Sequence, residues 1–145
     1  MSSTSTISFE LGNSDVAAEI SVAVWLDDLC VFQTDHLTEQ AQIKHDVPDD
    51  DGEHTLRIVM LGKTADHTEI DVDGSILKDV LISISNFDID GIDVNQVFLE
   101  NSSYTHDFNG TQPEIVDTFH GCMGCNGTVT LKFITPMYLW LLENM

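Results

Sequence analysis

The sequence predicts an all-β protein, a jelly-roll-like antiparallel β-sandwich, and three observations lead to this prediction. Apolar and polar residues alternate with period two along most of the chain. β-Branched and aromatic residues are enriched in these runs, and clusters of Gly, Pro, Asp and Asn separate them. No long run follows the 3.6-residue period of an amphipathic helix. Because 145 residues suffice for one core, we expect a single domain over residues 1–145.

The first half of the chain supplies five predicted strands. ISFEL begins the pattern, and EISVAVWL follows with alternate apolar residues from Ile20 to Leu26 on one face. Asp27 and Asp28 then mark a hairpin turn into LCVFQT. AQIKHDV precedes the acidic turn PDDDGE, and HTLRIVML completes this half.

The second half predicts four more strands and one long loop. KDVLISISNFDIDGIDVNQVF is interpreted as two strands with a break at Gly91, and TVTLKFI and MYLWLL as two more, separated by Pro136. MYLWLL is apolar on both faces of a strand, so we expect Trp140 to be buried in the core or in a subunit contact. Residues 100–125 lack a clear period, which predicts an irregular loop with a functional role.

The charge of the chain excludes some partners. The formal net charge is −20, with five basic residues, so we expect neither nucleic acid nor an anionic membrane to bind. A solvated acidic surface, divalent cation binding and docking onto a basic partner remain open. The N-terminal segment has neither a basic nor an apolar region of a signal peptide, so we expect synthesis in a cytoplasm without export.

The stretch DIDGIDVNQVF contains Asp88, Asp90 and Asp93, which are candidate ligands for a calcium ion. An EF-hand loop needs glycine at position 6 and a bidentate glutamate at position 12. Counting from Asp88, glycine falls at position 4 and Leu99 at position 12, so this is not an EF-hand. Two interpretations remain: a calcium site at the edge of the sandwich that uses the three aspartates, or plain acidic turns.

The segment HGCMGCNG places His120 two residues before a pair of cysteines, Cys122 and Cys125. Structural zinc needs four nitrogen or sulfur ligands, and a redox pair sits at a helix start in a βαβ unit. A glycine-rich turn with reduced cysteines is the third interpretation and the one we expect. No metalloprotease, nucleophile-elbow or phosphate-loop motif occurs, so we expect no catalysis.

The signature DGEHTL, Asp51 to Leu56, and the later ISNFDIDGIDV resemble the strand pattern of calcium-dependent xylan-binding carbohydrate-binding modules, over about Ser14 to Val97. The resemblance implies a β-sandwich that binds glycan with the help of calcium. Three aromatic residues of the predicted loop, Tyr104, Phe108 and Phe119, are the candidates for stacking on a sugar. Alternatively, they pin the loop to the sandwich.

YTHDFNGTQP (Tyr104 to Pro113) and GCNGTVTLKFITPMYLWLLENM (Gly124 to Met145) resemble small proteins of marine T4-like cyanophages. This resemblance implies a non-catalytic structural or accessory protein of the virion, on the head or the tail, made in the host cytoplasm. Its expected partners are other virion proteins or copies of itself. The alternative function is a calcium-dependent glycan-binding module for host attachment, and a third is an acidic mimic of DNA.

Overall fold

The computed structural model describes residues 4–14, 19–38, 40–48, 50–62, 69–70, 76–78, 80–106 and 113–144. Most of the described strands belong to two antiparallel sheets that share one hydrophobic core. The prediction of an all-β antiparallel sandwich is therefore confirmed. Within the described residues, no helix has the length and hydropathy that a bilayer crossing requires.

The elements follow one another in this order along the chain. The strands are β1 (Thr4–Asn13), β2 (Ser21–Leu26), β3 (Leu29–Thr34), β4 (Ala41–Pro48), β5 (Glu53–Leu61), β6 (Glu69–Ile70), β7 (Ile76–Lys78), β8 (Ile82–Ile89), β9 (Ile92–Asp93), β10 (Ser102–His106), β11 (Ile115–Thr118), β12 (Cys122–Met123) and β13 (Gly127–Ile134). The helices are α1 (Asn95–Asn101) and α2 (Met137–Asn144).

The strands pair into one five-stranded and one six-stranded sheet. The five-stranded sheet has the order β12-β8-β1-β4, with β9 paired to β8. The six-stranded sheet has the order β11-β10-β13-β5-β2-β3, and β6 and β7 pair separately. Consecutive strands β4 and β5 belong to different sheets, so the acidic segment between them crosses the sandwich.

The core forms because alternate residues of each strand face inward. Leu56, Ile58 and Met60 of β5 are at most 3% exposed, as the alternation predicts. A stack of aromatic rings extends this core, with Phe87 4.3 Å from Phe98 and 5.5 Å from Phe9 between ring centroids. Burial of each such side chain contributes about 1.5–3 kcal/mol to the free energy of unfolding.

The prediction of a strand at MYLWLL is wrong, because these residues belong to helix α2. The buried residues Met137, Trp140 and Leu141 follow a helical spacing, which turns one face to the core. The expected burial of Trp140 is confirmed: its side chain is 7% exposed and meets Phe133 edge-on at 6.3 Å between ring centroids.

The prediction of two strands around Gly91 is correct only in part. After Gly91 the chain forms the two-residue strand β9 and then helix α1, which buries Val97 and Phe98. The prediction of an irregular loop over residues 100–125 is also wrong, since it contains β10, β11 and β12. Strand β10 has the sequence SSYTH, in which Ser102 and Tyr104 point into the core. Because most of its residues are polar, the sequence shows no apolar alternation that would predict this strand.

Candidate functional site

The three aspartates predicted for calcium lie around the hairpin of β8 and β9. Asp88 faces Asp93 across the two strands, and Asp90 lies in the turn. Asp90 Oδ1 accepts a hydrogen bond from the Thr6 amide at 2.8 Å, and Asp93 Oδ1 accepts one from the Asn95 amide at 3.0 Å. Within the described residues, no three His, Cys, Asp or Glu side chains form a group able to hold a metal. The described residues therefore do not gather the three aspartates into a set of metal ligands: Asp90 joins the β8–β9 turn to β1, and Asp93 closes the turn before α1. Calcium binding by these residues stays a prediction to be tested.

We expect calcium to leave the melting temperature unchanged, because a ligand stabilises a fold only by binding its folded state. Differential scanning fluorimetry in EDTA and in millimolar calcium measures this. A rise of several degrees with calcium that disappears in Asp88→Asn would contradict the expectation and assign the ion to this hairpin.

Two of the three aromatic candidates are buried. Tyr104 is 6% exposed and Phe119 is 1% exposed, and their ring centroids lie 6.1 Å apart. The Tyr104 hydroxyl accepts a hydrogen bond from the Cys125 amide at 3.0 Å and donates to the Cys125 carbonyl, and burial raises the pKa of Tyr104 to about 12. Both side chains pin this part of the chain to the core and offer no open ring to a sugar. Phe108 lies outside the described residues.

The cysteine pair lies at a sheet edge. Cys122 belongs to β12 and Cys125 to the bend after it, and neither forms a disulfide. Gly121 has a φ of +103°, and a Cβ on Gly127 would collide with the Thr105 carbonyl oxygen. These two positions need glycine, as the interpretation of a glycine-rich turn requires. That the two thiols bind no zinc stays a prediction, which elemental analysis of the purified protein would test.

The outward side of the six-stranded sheet carries a tryptophan that faces solvent. Val24 and Leu26 are buried, so the alternation of β2 directs Trp25 to the opposite face, where its side chain is partly exposed. The register places Arg57 of β5 next to Trp25 on one side and Cys30 of β3 on the other. We call this region the Trp25 face.

A surface cavity of about 390 Å³ borders the Trp25 face. Its lining residues are Asp27, Asp28, Thr55 and Arg57. Arg57 Nη2 donates a hydrogen bond to the Asp27 carbonyl oxygen at 3.1 Å, which holds the guanidinium against the β2–β3 turn. Aromatic surface, cationic donors and carboxylate acceptors are therefore adjacent, which is the mixture that ligand sites commonly use.

Carboxylates are sparse on this side of the protein. The described outward positions of β2, β5, β10 and β13 include Ala23, Trp25, Glu53, Thr55, Arg57, Val59, Ser103, Thr105, Thr128, Thr130 and Lys132. In that set Glu53 is acidic, whereas Arg57 and Lys132 are basic. The outward side of the five-stranded sheet presents the acidic residues Glu10, Asp46, Asp88 and Asp93 and the basic residue Lys44. The outward strand positions around Trp25 therefore repel an anionic ligand less than those of the five-stranded sheet, although Asp27 and Asp28 lie in the wall of the adjoining cavity.

A hydrogen-bonded cluster lies behind the cavity, on the inner side of β5. His54 is 8% exposed, with Nδ1 2.7 Å from Asp27 Oδ2 and Nε2 2.9 Å from Asp50 Oδ1. The Thr135 hydroxyl donates a hydrogen bond to Asp50 Oδ1 at 2.8 Å. These bonds join the β2–β3 turn, the segment before β5 and the segment between β13 and α2. We call this group of four residues the His54 cluster.

The geometry of the His54 cluster favours an imidazolium, because each ring nitrogen lies at hydrogen-bonding distance from a carboxylate oxygen and only the protonated ring donates from both nitrogens. Burial acts to lower the pKa of His54, but its bonds to Asp27 and Asp50 outweigh burial and raise the pKa above 6.5. Burial acts to raise the pKa of Asp27, but bonds from His54 and the Thr55 amide lower it below 3.8. Hydrogen bonds from His54 and then Thr135 lower the pKa of Asp50.

Neither Trp25 nor His54 is among the site residues predicted from the sequence. The sequence does contain a signal for Trp25. The alternation that buries Val24 predicts that this large aromatic side chain points towards solvent, which is unusual for a tryptophan. For His54 the local sequence supplies only Asp50, four residues earlier, because Asp27 is 27 residues away and Thr135 lies 85 residues from Asp50. The tertiary fold brings Asp27 and Thr135 to this pair.

The fold and the site define an all-β sandwich with a candidate ligand-binding sheet face. No family model and no curated protein matches the chain. Among solved structures, a carbohydrate-binding module described as vCBM60 in complex with galactobiose is similar, with a TM-score of 0.47 and 12% identity, covering 87% of this chain and 96% of that chain. At this identity the similarity is one of fold alone. The expected relation to cyanophage virion proteins, with its partners and location, stays a prediction.

Proposed function

We propose that this chain is a non-catalytic glycan-binding domain that holds sugar on the Trp25 face. The observation that carries the proposal is the partly exposed Trp25 side chain beside Arg57 and the cavity of about 390 Å³. The Trp25 face replaces Tyr104 and Phe119 as the proposed sugar platform, because those two rings are buried.

The residues of this face match the two sides of a sugar ring. A pyranose presents C–H groups on its faces and hydroxyls around its rim, so its face packs against an indole. Arg57 supplies planar N–H donors for hydroxyl oxygens, and the exposed carboxylate of Asp28 accepts from hydroxyl protons. Thr55 adds a hydroxyl that both donates and accepts.

The distribution of charge also favours the Trp25 face over the outward side of the five-stranded sheet as the sugar-binding surface. Outward carboxylates of the five-stranded sheet repel sugars that carry acidic groups, whereas Arg57 and Lys132 attract such sugars and offset part of the repulsion from Asp27 and Asp28 in the cavity wall. Neutral glycans are tolerated on the Trp25 face as well, because their hydroxyls need only hydrogen bonds. The binding proposed here does not use the three aspartates of the β8–β9 hairpin.

Binding without catalysis is proposed because glycoside cleavage commonly uses a pair of carboxyl groups, and Asp27, one of the two acids in the cavity wall, is already hydrogen-bonded to other groups of the protein. Asp27 Oδ1 accepts from the Thr55 amide at 2.9 Å, and Asp27 Oδ2 is bonded to His54. A general acid for glycoside cleavage needs a raised pKa, and the pKa of Asp27 is lowered. Asp27 is therefore suited to shaping the cavity and unsuited to donating a proton.

We expect Arg57→Gln to weaken glycan binding about tenfold, since hydrogen bonds to a charged group contribute ~1.5–3 kcal/mol. Isothermal titration with galactobiose, xylohexaose, cellohexaose and an oligogalacturonate measures the affinity and ranks neutral against acidic sugars. The matched control is Lys44→Gln, which removes the same charge from an exposed position of the five-stranded sheet. Equal losses in both variants, or no binding of any sugar by the unmodified protein, would contradict the proposal.

A further inference from the structure

The His54 cluster reaches the proposed ligand site through Asp27. The Asp27 backbone lies in the left-handed region, with a φ of 53°, which residues other than glycine rarely adopt. Its amide donates to the Thr55 carbonyl at 2.8 Å, and its own carbonyl accepts from Arg57. The bond to His54 is the contact that connects this turn to the segment before β5. The bond to His54 thus adds to the bonds from Thr55 and Arg57 that hold this part of the cavity wall in position.

The connection requires both ring protons of His54. A neutral imidazole has one N–H donor and one nitrogen lone pair. With a neutral ring, one of the two carboxylates would face that lone pair at hydrogen-bonding distance and be repelled. His54 links Asp27 to Asp50 only while it is bonded to both carboxylates. A neutral ring keeps at most one of the two bonds, so this link would be lost.

We infer that protonated His54 is the positioning residue that holds the β2–β3 turn in place for the ligand, so that binding on the Trp25 face weakens when His54 loses its proton. This inference rests on the proposed function, because it concerns the regulation of the same site. His54 itself does not touch the sugar and acts through Asp27.

Charged groups around the ring favour the proton. The charged residues on the described elements around His54 are Asp27, Asp28, Asp50, Asp51, Glu53, Arg57, Lys132 and Glu143. Carboxylates outnumber cations in this set, and the two carboxylates in contact with the ring dominate. The ring also stacks on Phe133, with centroids 5.7 Å apart, which favours a cation. α2 contributes Trp140 to the neighbouring cavity wall.

The direction of the pH effect follows from the shifted pKa values. The pKa of His54 is raised above 6.5, so its contribution is complete below pH 6.5 and is lost as the pH rises through the folded-state pKa. The pKa values of Asp27 and Asp50 are lowered from 3.8, so their contributions are complete above pH 3.8 and are lost as the pH falls through the folded-state values. The link is therefore complete between about pH 3.8 and 6.5.

The first test is an NMR titration of the unmodified protein from pH 5 to pH 10 without ligand. We expect the His54 imidazole to titrate above 6.5, and the amides of Asp27 and Thr55 and the Trp25 indole to shift with the same midpoint. A His54 ring that titrates without a response at Asp27 and Trp25 would overturn the inference, whatever the outcome for glycan binding.

The second test measures the affinity for xylohexaose and galactobiose over the same pH range. We expect a loss of about tenfold across the His54 titration, as for a charged hydrogen bond, and a flat profile in His54→Gln, whose amide has no proton to lose. His36→Gln is the control and should keep the unmodified profile. A sloping profile in His54→Gln would overturn the inference. If no sugar binds at any pH, the proposed function fails, and the ligand-free titration still decides whether His54 positions the turn.

Discussion

Replacement of Trp140 by alanine is expected to lower the free energy of unfolding by ~3–5 kcal/mol. The indole is 7% exposed and packs edge-on against Phe133, in the part of the core that α2 closes. Truncation would leave a cavity beside Phe133 and loosen α2 on the sheet. Since a domain of this size has a stability of ~5–15 kcal/mol, the loss is a large share of the total. Urea unfolding followed by circular dichroism measures it.

The matched control for Trp140→Ala lies on the same helix. Leu142 is 73% exposed, so Leu142→Ala should change the free energy of unfolding by less than about 0.5 kcal/mol. Similar stability of both variants would show that α2 does not close the core. A truncated chain without residues 138–145 should for the same reason lose cooperative unfolding.

Replacement of Trp25 by alanine is expected to weaken glycan binding about 10–100-fold, equivalent to ~1.4–2.7 kcal/mol. The indole is the one aromatic ring that the described outward positions of β2, β5, β10 and β13 present to solvent. Its loss removes the surface on which a sugar ring packs, without opening a core cavity. Folding should therefore be nearly unchanged while the affinity falls. Isothermal titration with xylohexaose and galactobiose measures the affinity, and thermal unfolding measures the folding.

Two further variants separate stacking from general surface effects. Trp25→Phe keeps a smaller ring and should recover part of the affinity. Val116→Ala alters a residue that is 66% exposed on β11, four strands away from β2, and should bind like the unmodified protein. An unchanged affinity in Trp25→Ala would mean that the sugar binds elsewhere.

Strands were predicted well where one face is apolar. In β2 and β5 every second residue is buried, so the period of two is visible in the sequence. Strand β10 was missed because its inward residue Ser102 is polar; its hydroxyl donates to the Phe98 carbonyl at 2.6 Å, which makes burial acceptable. A pattern of apolar residues cannot report such a strand.

The two helices were missed because they are short. α1 has seven residues and α2 has eight, so each shows little more than two turns of a helical pattern. The buried residues Met137, Trp140 and Leu141 do have helical spacing, but apolar neighbours obscure it. A run that is apolar at nearly every position fits both periods, and tertiary packing decides between them.

The candidate site was predictable only in part. The alternation in β2 and β5 assigns Trp25 and Arg57 to the outward face, but the register that makes them neighbours is a property of the folded sheet. The His54 cluster depends on the crossing between the two sheets and on a residue before α2. The acidic stretch around Asp88 is conspicuous in the sequence because its spacing is local, and two of its carboxylates, those of Asp90 and Asp93, accept hydrogen bonds from backbone amides.

The most direct test of a sugar site on the Trp25 face uses the two tryptophans of the chain. Their indole N–H groups give two separate signals in a proton–nitrogen correlation spectrum, which can be followed during titration with xylohexaose and galactobiose. The proposed function predicts that the Trp25 indole and the amides of Thr55 and Arg57 shift to saturation, while the Trp140 indole stays in place. Shifts confined to the five-stranded sheet around Asp88, or a Trp25 indole that stays in place under saturating sugar, would contradict it.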